Sequence, residues 1–234
     1  MRQAADAASP GLALDHLVVA ARTIDDGVAW CEATLGVVPA PGGRHALMGT
    51  HNRLLALSSA RFPRCYLEVV AIDPDAAAPG RSRWFDLDTA AIQDAIAAMP
   101  QLVHWVARTT SIDAAVAAFR QAGHDPGAPT MAERMTARGL LRWHITVRDD
   151  GVRPGDGAVP ALIEWGDEHP CDALAASGVA LEHVEVASEP PAFVAGLSVV
   201  EPDHLEEAPP ALVAILDTPR GRVALASPPR RSAG

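Results

Sequence analysis

The sequence predicts an α+β fold made of two tandem βαβββ modules followed by a partial third unit. Three observations predict it. One segment recurs at a fixed offset, the same order of strand and helix patterns follows each copy, and the bulk composition is that of an ordinary globular chain.

The repeat sets the frame. HLVVAARTIDDGVAW from His16 and HWVARTTSIDAAVAAF from His104 align without gaps, matching His16 with His104, Val18 with Val106, Ile24 with Ile112, Asp25 with Asp113 and Val28 with Val116. The offset from position 16 to position 104 is 88 residues. In each copy an apolar run of strand character meets a polar start signal, and a stretch of helical period follows. Thr23 and Ser111 are the expected N-caps, with Asp25 and Asp113 in the first turn, where a carboxylate suits the helix dipole. Gly36 and Gly123 stand where these helices should stop. After the first helix come VVPAPGGRHALMGT, NRLLALSS and CYLEVVAI; after the second come PTMAERM, GLLRWHITV and PALIEWG. Each set reads as three short strands separated by turn formers. Two full copies make a duplicated module rather than a solenoid.

The expected boundaries are 12–73 for the first module, 74–101 for a linking loop and helix, and 102–168 for the second module. A C-terminal partial module follows at 172–227. In it, PALVAILDTPRGRVALAS reads as a hairpin turning at Thr-Pro-Arg-Gly. The leader MRQAADAASPG and the Pro-Pro-Arg-Arg-Ser end are expected to be frayed.

Composition narrows the function. The chain has 234 residues, 49% of them hydrophobic and 21% charged, enough for a sizeable core. A net charge of −10 argues against a nucleic-acid surface, which needs clustered cations. No stretch approaches a membrane span, and the leader lacks the apolar region of a secretory signal. Three widely spaced cysteines fit a reducing cytoplasm and argue against a disulfide frame or zinc ribbon. All 19 basic residues are arginine, which excludes lysine Schiff-base chemistry, lysine-anchored pyridoxal phosphate and the P-loop. Abundant Ala, Arg, Pro and Gly suggest a GC-rich bacterial genome. No dinucleotide fingerprint, GxSxG elbow or HExxH helix is present.

The doubled module, with LDHLVVAART, GGRHALMGTHNRLLAL, YLEVVAIDP, RWFDLD, GLLRWHI and PALIEWGDEHP in that order, resembles the vicinal oxygen chelate superfamily, and within it the bacterial glyoxalase-like domain proteins. The resemblance runs from about residue 12 to 227. It implies a glyoxalase/bleomycin-resistance/extradiol-dioxygenase-like fold, in which each module forms half of an open barrel around a shared cleft. In that superfamily the first and fourth strands of both modules offer metal ligands. Carried over position by position, the resemblance points to His16, Glu68, His104 and Glu164.

The chemistry of those positions is consistent with that reading. A carboxylate between Leu67 and Val69, or between Ile163 and Trp165, is costly to bury unless paired or ligated. Two imidazoles and two carboxylates suit a divalent ion such as Zn, Mn, Ni, Co or Fe. Such an ion would stabilise an enolate, with Glu68 or Glu164 as the proton-transfer base. The bland reading is four satisfied structural or rim residues. His45, His51, Asn52 and Arg53 form a second cluster, read either as substrate contacts at the cleft mouth, with Arg53 as anion partner, or as a solvated hairpin. Trp84 and Phe85 either close one side of the cleft or sit in plain core.

The leading expectation is therefore a metal-dependent lyase or isomerase of a small oxygenated metabolite, acting as monomer or homodimer. The alternatives are a metal-free small-molecule binding protein of the sequestration or resistance kind, and an extradiol-type dioxygenase. The latter usually draws two His and one Glu from a single module, which the split of candidate ligands disfavours.

Overall fold

Runs of β-branched and apolar residues, cut by Gly, Pro and Ser, become strands because the pleated, half-buried sheet accommodates them. The computed structural model describes residues 11–136, 138–187, 194–195, 197–199 and 210–228. The expected leader and the last residues of the chain lie outside the described residues, as do parts of the 172–227 unit.

The first half runs β1 (Leu12–Ala20), α1 (Ile24–Leu35), β2 (Ala40–His45), β3 (Thr50–Ala56) and β4 (Tyr66–Ile72). A linking helix α2 (Ala90–Ala98) leads into β5 (Gln101–Arg108), α3 (Ile112–Gln121), β6 (Ala128–Thr136), β7 (Gly139–Val147) and β8 (Ala161–Trp165). Strand order along the main sheet is β2-β3-β4-β1-β5-β8-β7-β6. The parallel β1–β4 pair is echoed by a parallel β5–β8 pair, and antiparallel β1–β5 pairing joins the two halves into one sheet. The remaining strands are β9 (Ala180–Val186), β10 (Val194–Ala195), β11 (Leu197–Val199), β12 (Leu212–Thr218) and β13 (Gly221–Ala226). β10 pairs with β1, and β9, β11, β12 and β13 form a second sheet. The β12–β13 hairpin turns where the Thr-Pro-Arg-Gly signal stands, with Thr218 opposite Gly221.

Each face of the main sheet covers its own core. On one face Leu17, Val19, Leu67, Trp105 and Leu162 pack with helix residues Cys31, Leu35, Val116 and Phe119 and with the second sheet. On the other, concave face, Val18, Val70, Val106, Trp143 and Ile163 pack with Trp84, Phe85 and α2. The helices end as their sequences suggest. Thr23 accepts a hydrogen bond from Asp26 N–H at 3.1 Å, and α1 stops at Gly36, whose φ of 77° suits a residue without Cβ. Ser111 is a correction: it makes no side-chain cap on α3.

A β-bulge at Asp15 breaks the alternation of β1. Leu14 pairs with Ala107 and His16 with Val106, so Asp15 is the extra residue, and Leu14 and Leu17 share the helix-side core. Both Asp15 and His16 are thereby released from that core toward the concave side.

Candidate functional site

Register decides which side chains reach the concave face, since directly opposed residues share a face. His16 lies opposite Tyr66, Val18 opposite Glu68, and Asn52 opposite Val70, so His16, Tyr66, Glu68 and Asn52 look into one cleft. Its lining also includes His45, Trp84, Phe85, Arg134, Trp143 and Trp165.

Asn52 organises the group. Its Oδ1 accepts from Gly43 N–H at 2.7 Å, which fixes the amide so that Nδ2 donates to Glu68 Oε1 at 2.6 Å and to His45 Nε2 at 3.2 Å. His45 Nδ1 then donates to the Thr50 hydroxyl at 3.0 Å. The close approach of β2 needs a glycine: a Cβ on Gly42 would stand 2.0 Å from Asn52 Oδ1. Burial pushes the His45 pKa down to about 4, Glu68 pulling the other way, so the ring is neutral at pH 7.

His16 is held from behind. Its Nδ1 donates to Asp15 Oδ1 at 2.7 Å, and Tyr66 stacks on the ring at 4.5 Å. Asp15, fully buried, also accepts from Trp165 Nε1 and His169 Nε2, each at 3.0 Å, so both halves of the chain converge on one carboxylate. Burial works to raise the Asp15 pKa, but the hydrogen bonds and charges of His16 and His169 hold it well below the usual carboxylate range. His16 Nε2 is left facing Glu68 Oε2 across 3.6 Å. At that distance they make no direct hydrogen bond, and both line the same chamber.

The structure brings His16, Glu68, His45 and Asn52 together but not the full expected set. Glu164 is on the opposite face of β8 from Ile163 and Trp165; its Oε2 accepts from Ile112 N–H at 2.7 Å and caps α3 in place of Ser111. His104 faces the concave side, yet its Nε2 accepts from Ala161 N–H at 3.1 Å, and Phe85 stands beside the ring. Its Nδ1 is buried without a partner, and burial, with Arg153 and His16, drives its pKa well below 6.5. Phe85 and Trp84 line both the His16 chamber and a smaller one around His104 and Arg153, so the pair divides the cleft. His51 and Arg53 are corrections by strand parity: they alternate with Asn52 and share the face of Leu55, away from the cleft. Arg134 of β6 is the cation that reaches the chamber instead.

A divalent ion finds part of a site here. His16 Nε2, oriented through Nδ1 by a carboxylate, and Glu68 Oε2 are spaced as two ligands of one ion would be, about 3.4 Å for donors each about 2.1 Å from it. Known sites draw three or four protein donors. Among the described residues no three His, Cys, Asp or Glu side chains gather to hold an ion. The four expected ligands, as they stand, do not fit a single metal.

The glyoxalase-like domain family model matches residues 14–199, most of the chain. The chain belongs to the glyoxalase-like domain family. As a glyoxalase-like protein it shares the vicinal oxygen chelate fold. A hypothetical protein from Staphylococcus aureus is similar over 93% of this chain and 86% of its own, with 15% identity and a TM-score of 0.54, which shows the fold alone. Methylmalonyl-CoA epimerase from Mycobacterium tuberculosis matches at 16% identity over 74% of this chain and 98% of its own, with a TM-score of 0.38. A variant of the Streptomyces coelicolor epimerase, in complex with 2-nitronate-propionyl-CoA, matches at 19% identity over 69% and 99%, with a TM-score of 0.41. No curated protein matches the sequence of this glyoxalase-like chain. No helix among its described residues is long and apolar enough to cross a membrane.

Proposed function

We propose that the chain is a lyase or isomerase that moves a proton on a small oxygenated metabolite through an enolate-type intermediate, with Glu68 as the base. The observation that supports this reading is the placement of the Glu68 carboxylate. It is 95% buried, held by Asn52 at 2.6 Å, and faced by His16 Nε2 at 3.6 Å and His45 Nε2 at 3.7 Å, and among the described residues no arginine forms an ion pair with it. A buried carboxylate without a structural partner cation is costly to keep and suited to proton transfer. A substrate hydroxyl entering the chamber that His16 and Glu68 both line would donate to the carboxylate, and Asn52 holds the carboxylate's angle to it. A metal, when bound, would supply Lewis-acid stabilisation of developing negative charge beside His16 and Glu68. With only these two donors in place, no step is assigned to it. We place the protein in the cytoplasm, in keeping with its three unpaired cysteines.

The test is proton exchange. The protein is incubated in D2O with a panel of 2-hydroxy and 2-oxo carbonyl compounds, and loss of the α-proton is followed by NMR. Exchange with at least one compound, lowered at least about 100-fold in Glu68→Gln, supports the reading. No exchange across the panel, or full exchange in Glu68→Gln, overturns it.

A second reading, metal-free sequestration of an aromatic ligand, is favoured by one specific pattern. His104 and Glu164 are both engaged by backbone amides, while Trp84, Phe85, Trp143 and Trp165 wall the cleft. Metal analysis of untagged protein, wild type against His16→Ala, separates the two. Stoichiometric metal lost in the variant counts against sequestration.

A further inference from the structure

The chamber around Glu68 shares part of its wall with a second, larger cavity. The inner space, about 30 Å³, admits one water-sized group. The outer, about 400 Å³, lies between β2 and the β6–β7 hairpin, with Met135, Leu141, Ala173 and Leu174 among its walls. Leu54, Arg134 and Pro170 line both spaces, so the Arg134 guanidinium stands at their junction. It reaches over β2 because Gly43 has no side chain: a Cβ there would be 2.2 Å from Arg134 Nη1.

Arg134 makes no hydrogen bond or ion pair with any described residue, whereas the other arginine of the cavity, Arg138, donates to the Asp172 carbonyl at 2.7 Å. The one acid lining the outer cavity is Glu168. A guanidinium with no partner among the described residues, where the two cavities meet, is suited to pairing with a carboxylate.

We propose that the outer cavity binds a small-molecule carboxylate with an apolar body, whose acid group pairs with Arg134 and whose adjacent carbon carries a hydroxyl or oxo group directed into the inner chamber. This rests on the reading of Glu68 as the reactive end of the cleft and names the class of substrate that reaches it. Size sets the class: the inner space takes a single small substituent, and the 400 Å³ of the outer cavity takes the apolar remainder.

The probe is 2-hydroxyoctanoate, compared with uncharged 1,2-octanediol, each titrated against the full chain by calorimetry. The acid should bind the wild type at least tenfold more tightly than the diol. Arg134→Gln should weaken the acid at least tenfold and leave the diol unchanged, Arg134→Lys should weaken it less, and Ala173→Trp, at an exposed wall position, should block both ligands. Glu68→Gln should still bind the acid, so failure of the proton-exchange test with retained binding would sink the enzymatic reading alone. No binding of the acid to wild type, equal binding of acid and diol, or an unchanged Arg134→Gln overturns the proposal.

Discussion

Asp15 and His16, neighbours in the chain, hydrogen-bond side chain to side chain at 2.7 Å because the bulge in β1 turns both from the helix-side core. Asp15 thereby becomes the anchor of the site. Asp15→Ala would strip His16, His169 and Trp165 of their common acceptor inside the protein. It is expected to lower stability by about 3 kcal/mol, read by urea denaturation, and to loosen the His16 ring, read as an altered imidazole tautomer by 15N NMR.

The same carboxylate predicts acid sensitivity. Its folded pKa lies below its ordinary 3.8, so the stabilisation is complete above that value and is lost as the pH falls below it. Denaturation curves from pH 3.8 down to pH 2.5 should fall more steeply in wild type than in Asp15→Asn.

His45 titrates in a higher window. With a folded pKa of about 4 against 6.5 ordinarily, the unfolded chain binds the proton more tightly. Stability is full above pH 6.5 and falls by roughly 3 kcal/mol as the pH drops to about 4. His45→Gln should flatten that part of the pH–stability curve, and burial of His104 adds a loss of the same sign.

Glu164 offers a clean contrast with Glu68. As the cap of α3, Glu164→Ala should cost about 1 kcal/mol in thermal unfolding and leave metal content and proton exchange unchanged. A fall in either would return it to the site.

Phe85 is held at a φ of 61° between the two chambers, in the left-handed region that bulky side chains avoid. Phe85→Ala should lower stability by about 3 kcal/mol and join the chambers into one cavity, detected as new, stabilising binding of indole in a thermal shift assay.

The doubled architecture was legible because period and order are properties of short segments: HLVVA and HWVAR read as strands, and TIDD and SIDA as helix starts, wherever they stand. His16 and Glu68 were legible for the same reason, as polar residues on the same parity as an apolar strand face. The rest of the site depends on what a linear reading does not carry. His51 and Arg53 flank Asn52 in the sequence, yet the strand turns them to its other face, a signal carried by the alternation itself. Glu164 in LIEWG reads equally as a ligand or as a cap, and only the position of α3 decides. Asp15 offered a signal, an acid inside an apolar strand beside His16, but its partner His169 is 154 positions away. Arg134, on a hairpin of the other half, had no local mark at all.

Antiparallel pairing of β1 with β5, together with the Trp165 and His169 bonds to Asp15, makes each half the completion of the other. A fragment ending before residue 101 would expose the edge of β1 and leave an ionised carboxylate facing solvent. The two halves are unlike at the matched positions: the first carries the imidazole–carboxylate pair, and in the second the glutamate caps a helix.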